Sequence, residues 1–142
     1  MKKTLKAQTI LDAAKLFGKL KLTMLEDTEY MPVIKRLQVV KDAAKPIQNI
    51  IDTASKALEP DDYQELLKKG DMFETLSDDE KQLVNVRLQA IYNRRTRATA
   101  EELMKDVKID ITPISDETLE RIIKSNDFTV AEILTLQDVL CK

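Results

Sequence analysis

Apolar residues recur between residues 30 and 58 at alternating steps of three and four. The series is Tyr30, Val33, Leu37, Val40, Ala44, Ile47, Ile51, Ala54 and Leu58. Lys35, Arg36, Lys41, Asp42, Lys45, Gln48, Asn49, Asp52 and Lys56 fill most of the gaps. A period of 3.5 residues held for about four heptads predicts a long helix with one coiled-coil-like seam. At 1.5 Å per residue such a helix spans roughly 43 Å. Asp27 or Thr28 is placed to cap it, and Pro32 falls near its first turn, where a missing N–H loses little. Pro46 lies inside the seam and removes the bond to the carbonyl of Asp42. Because the register runs unbroken across it, a single helix kinked at Pro46 is expected, at a cost of about 3 kcal/mol.

The flanking pattern supplies shorter elements. Residues 4–18 predict a basic amphipathic helix with Ala7, Ile10, Leu11, Ala14 and Phe17 on one face, ended by Gly18 in a left-handed conformation. Lys19-Leu20-Lys21-Leu22-Thr23 alternates and predicts a short strand, and residues 107–112 (Val-Lys-Ile-Asp-Ile-Thr) predict a second. The two are expected to pair into a small sheet, which needs helices packed on it. Residues 59–76 form an insertion with a short helix over 61–69 stopped by Gly70. Ser77-Asp78-Asp79-Glu80 reads as a capping box opening a second long helix. Ser115 caps a helix over about 115–125, and Thr129-Val130-Ala131-Glu132 opens one over about 129–140. The expected fold is mainly α: one domain built on a long antiparallel helical hairpin with arms at about 28–58 and 77–106.

Composition agrees. The 142 residues include only 2 Gly and 4 Pro, so few turns can use positive φ. The net charge is −2, which sets up no global field for nucleic acid. No apolar run approaches membrane-spanning length, and the N-terminal Met-Lys-Lys is followed by no apolar core of a signal peptide. These features predict a cytoplasmic protein with no membrane partner.

Candidate chemistry is sparse. With no histidine and a single cysteine, Cys141, the protein lacks the usual general base, the usual zinc ligand, any thiolate cluster and any intrachain disulfide. Cys141 reads as an inert tail residue. Gly18 and Gly70 lie too far apart for a phosphate loop. The acid pairs Asp61/Asp62, Asp78/Asp79 and Glu101/Glu102 sit at helix starts or on polar faces, which solvation or the helix dipole explains. No catalytic residue, metal site or cofactor is expected. Arg87, Arg94, Arg95 and Arg97 could meet phosphates or acidic partners, although Tyr92 alone supplies no stacking platform, and pairing with nearby acids accounts for them as well.

The apolar seam of the first arm faces a second arm whose middle, Asn93 to Ala100, is polar. Something else must cover the seam, whether the terminal helices or another subunit. Leu37, Val40, Ala44, Ile47, Ile51, Ala54 and Leu58 are therefore the expected interaction seam, and self-association is an expectation.

The order of elements resembles a set of small uncharacterised helical phage and prophage proteins. The matching pieces are Leu20-Lys21-Leu22, Ile34-Lys35-Arg36-Leu37, Val107-Lys108-Ile109-Asp110-Ile111 and Phe128 to Leu140. The 59–76 insertion is longer than in that set. The resemblance implies a non-enzymatic structural, assembly or accessory protein, in a bacterial host's cytoplasm or in a virion, working through protein contacts. A nucleic-acid-binding accessory factor is the alternative.

Overall fold

In a computed structural model, residues 2–141 are described. The order is β1 (Lys2–Lys6), α1 (Ala7–Phe17), α2 (Asp27–Ala57), α3 (Tyr63–Asp71), a 3₁₀ turn (Phe73–Thr75), α4 (Asp78–Leu103), β2 (Asp106–Asp110), α5 (Asp116–Lys124) and α6 (Val130–Leu140). The protein is mainly helical with a two-stranded antiparallel sheet. Both long helices are present, 31 and 26 residues in length, and α2 runs through Pro46 without a break.

The sheet is real, but its first strand is not the predicted one. The 19–23 segment is turn and irregular structure. Asn126 takes its backbone groups instead: Lys21 N–H donates to Asn126 Oδ1 at 2.8 Å, and Asn126 Nδ2 donates to the Lys21 carbonyl at 2.7 Å. The strand is Lys2–Lys6, at the start of the segment expected to be helical. It pairs with Asp106–Asp110 so that Lys2 faces Asp110 and Lys6 faces Asp106. Opposite charges at both ends of the ladder favour this register, and Lys6 Nζ lies 2.7 Å from the Asp106 carboxylate. Two glycine assignments also change. Gly18 closes α1 at φ −64°, an ordinary right-handed value, and α3 continues through Gly70 to Asp71.

The protein divides into two compact units, Met1–Asn49 with Glu102–Lys142, and Ile50–Glu101. The first holds the main core. Ala7, Ile10, Ala13, Leu16 and Phe17 of α1, Val33, Leu37, Val40 and Ala44 of α2, Ile122 of α5, and Leu136, Val139 and Leu140 of α6 are all buried. Helix α1 packs on α6, and α5 on α6. Ala14 and Leu11 of α1 share a groove with Ala44 of α2, so α1 flanks the lower seam. Glu29, near the start of α2, accepts from Arg121 Nε and Nη2 of α5, each at 2.7 Å, and from the Thr118 hydroxyl. The Arg121 guanidinium and the Thr118 hydroxyl hold its carboxyl down to about 2. Ser115 caps α5, and Thr129 with Glu132 forms a complete capping box on α6.

The second unit is built differently. Among the described residues its buried apolar side chains are only Leu66 and Val84. The last turns of α2 and the residues that follow run antiparallel to α4: Ser55 and Glu59 meet Arg95, while Asp62 meets Arg87.

Candidate functional site

Helix α4 carries two stripes. One reads Val84, Leu88, Ile91, Arg95 and Thr99, at steps of four, three, four and four, and all five are buried or half-buried. The other reads Leu83, Val86, Ala90, Arg94 and Arg97, and all five are exposed. The apolar residues of the first half of α4 thus fall on two faces. The signal that separates them is the spacing: Leu83 and Val86 fall well off the line through Val84, Leu88 and Ile91.

The inward stripe explains the polar middle of the second arm. Thr99 is buried, and its hydroxyl donates to the Arg95 carbonyl at 2.9 Å. Arg95 Nε donates to the Ser55 carbonyl at 3.0 Å, Nη1 to the Tyr63 hydroxyl at 3.0 Å, and Nη2 to Glu59 at 3.1 Å. Its guanidinium also lies 4.8 Å from the centre of the Tyr63 ring. Ser55 is in the last turn of α2, whose carbonyls have no helical partner, so the Arg95 guanidinium caps the C-terminal end of that helix. The polar middle of α4 thus binds the end of α2, where cover from the terminal helices or another subunit was expected.

Arg87 makes a forked pair with Asp62, one arm of it 3.0 Å long. Hydrogen bonding from the guanidinium lowers the Asp62 carboxyl, and the same bond raises the Arg87 guanidinium. Asp62 reads in sequence as a helix-start acid. It precedes α3 but makes no side-chain cap there. Nothing in the sequence spacing links it to a residue twenty-five positions away.

The candidate site residues are therefore divided. Leu37, Val40 and Ala44 are buried in the first unit, and Ile47 is half-buried there. Ile51, Ala54 and Leu58 are half-buried in the second. Arg87 and Arg95 hold the second unit together, whereas Arg94 and Arg97 are exposed and make no hydrogen bond or ion pair among the described residues. Ala57, Leu58 and Pro60 on one side and Val86, Ala90 and Ile91 on the other line an open groove of about 370 Å³, with Arg94 on its rim. Leu83 and Val86 are 58% and 60% exposed, and Met72 and Tyr92 are also exposed in this unit. At the start of α4, Ser77 Oγ accepts from the Glu80 N–H at 3.3 Å, but only this half of the expected capping box forms. The carboxylates of Asp79 and Glu80 are exposed and without a partner among the described residues.

Elsewhere the chemistry is quiet. Burial raises the Cys141 thiol above its ordinary value, which suppresses the reactive thiolate. Among the described residues no three His, Cys, Asp or Glu side chains gather to hold a metal ion, and no helix is long and apolar enough to cross a membrane. No family model, curated protein or solved structure matches the sequence or fold of this protein.

Proposed function

We propose that this is a non-enzymatic protein–protein interaction protein that works through its second unit. The observation that carries this reading is the outward stripe of α4 beside the groove at Leu58 and Pro60. Large apolar side chains stand in solvent there, next to a seam whose last residues, Ile51, Ala54 and Leu58, are only half-covered. Contiguous exposed apolar surface of this kind is the usual mark of a protein contact. The resemblance to phage and prophage proteins points to a role in structure, assembly or accessory function, in the host cytoplasm or the virion. Capsid or tail genes on either side of the coding sequence are expected on that view.

The test is site-specific photo-cross-linking in cells. A photoreactive residue at Val86 or Leu58 gives discrete protein adducts, and one on the exposed Lys108 does not. Adducts absent at all three positions sink the reading. Ile51→Asp places a charge where an apolar residue contributes about 1.5–3 kcal/mol, and is expected to abolish the adducts or unfold the unit.

A second reading has one observation in its favour: Arg94 and Arg97 are exposed cations free to meet phosphate. A gel-shift titration separates the two readings. Phosphate binding falls steeply with salt, and two contacts give a log–log slope of roughly −2.

A further inference from the structure

We infer that the partner of this surface is a second copy of the protein, docked antiparallel across α4 about a two-fold axis between Val86 and Arg87. The inference rests on the interaction reading above and narrows it to one occupant.

The argument is the charge order along the outward stripe. From the start of α4 it runs Asp79, Leu83, Val86, Ala90, Arg94, Arg97, within a sector about 80° wide. Acids stand at one end, apolar side chains in the middle and arginines at the other end. Asp79 and Arg94 lie seven and eight residues from Val86, or roughly 10–12 Å along the axis. The stripe is therefore its own complement when reversed. Turned about the axis between Val86 and Arg87, a second helix sets its Arg94 beside Asp79 and Glu80, and its Asp79 and Glu80 beside Arg94. Each contact occurs twice, as an isologous interface requires. The same turn sets Leu83 opposite Ala90, the smallest residue of the stripe. Ala90 lines the groove with Ala57, Leu58 and Pro60, so the large side chain of one copy meets the hollow of the other.

Other arrangements do worse. Parallel pairing sets Arg94 and Arg97 against their own copies. An antiparallel pair centred on Ala90 sets Asp79 against Glu101 and Leu83 against Arg97. Like charges brought together oppose both. The charges that would pair are exposed and unpartnered within one protomer, among the described residues. Arg87 and Arg95, which have internal partners, are not needed.

The test is light scattering with the full-length protein at micromolar concentration, at low and at high salt. The wild type is expected at twice the protomer mass in low salt, with weaker association as salt screens the flanking pairs. Val86→Asp gives the monomer with an unchanged helical spectrum, since Val86 is more than half exposed. Arg94→Glu and Asp79→Lys each weaken the dimer, and the double variant R94E/D79K restores it. That restoration is specific to the register. A wild-type monomer throughout, a dimer that V86D leaves intact, or a double variant no tighter than the singles overturns the inference. A monomer whose Val86 cross-linker still captures a protein of another mass overturns the second copy while leaving the interaction reading standing. A monomer with no adduct removes both.

Discussion

The two units use the same kinds of residue to opposite ends. In the first, α1 and α5 put their apolar positions on one side, α6 buries Leu136, Val139 and Leu140 while leaving Val130 and Leu134 exposed, and the core side chains go to full burial: Ile10, Ile122, Leu136 and Leu140 are all 0% exposed. In the second, α4 spreads its apolar positions over two stripes, so only half of them can face inward. Leu66 and Val84 are what remains of a core, and Arg95, Asp62 and Arg87 supply polar contacts in its place. The difference separates holding a fold from presenting a surface. A helix that divides its apolar residues between two faces leaves its own unit less well filled.

Truncating the two cores breaks or confirms this contrast most directly. Ile122→Ala in the first unit is expected to cost about 2–5 kcal/mol, from lost burial and the cavity left behind, read as a large fall in melting temperature. An effect below about 1 kcal/mol would mean that the first unit is not the main core. Native-state hydrogen exchange tests the contrast at the next scale. Amides of residues 78–101 should exchange through openings of lower free energy than those of α1 and α6, because few buried apolar contacts oppose opening there. Equal protection in both units would erase the distinction. Arg95→Met removes three donated bonds from a half-buried side chain, and a loss on the order of 1 kcal/mol is expected.

Acid sharpens the comparison. The Glu29 carboxyl, held at about 2 against an ordinary 4.5, contributes stability that is present above pH 4.5 and fades as pH falls toward 2. Glu29→Gln should therefore narrow the gap between neutral and acid stability of the first unit, followed by circular dichroism through that window. A variant whose acid transition matches the wild type would show that the clamp adds nothing. The smallest expected effect is that of Val86→Ala, within about 0.5 kcal/mol of wild-type stability. A large loss would place Val86 in the core and remove the outward stripe.

Periodicity made much of this legible. The 3.5-residue seam located α2 almost to the residue, and the Ser115 and Thr129 signals located α5 and α6. It failed where partners are remote in sequence. Leu20 and Leu22 alternate as a strand would, yet their segment pairs with the side chain of Asn126. Lys2 to Lys6 holds one apolar residue, Leu5, and shows no such alternation in sequence, and its partner was identifiable only through the matching charges at Asp106 and Asp110. The role of Arg95 depends on Ser55, Glu59 and Tyr63 converging from a separate stretch of sequence, which local spacing does not encode.

Pro46 has a consequence for how disturbances travel. Helix α2 belongs to both units, and Pro46 stands three residues before their boundary at Asn49. Unwinding that starts at Ala57 and moves toward Asp27 breaks about one backbone bond per residue. At Pro46 there is no N–H to release, and the ladder has already been interrupted. Beyond it stand Ala44, Val40, Leu37 and Val33, all buried. The buried stretch beyond the proline thus acts as a firebreak. Opening of the second unit is therefore expected to leave the register of the first in place.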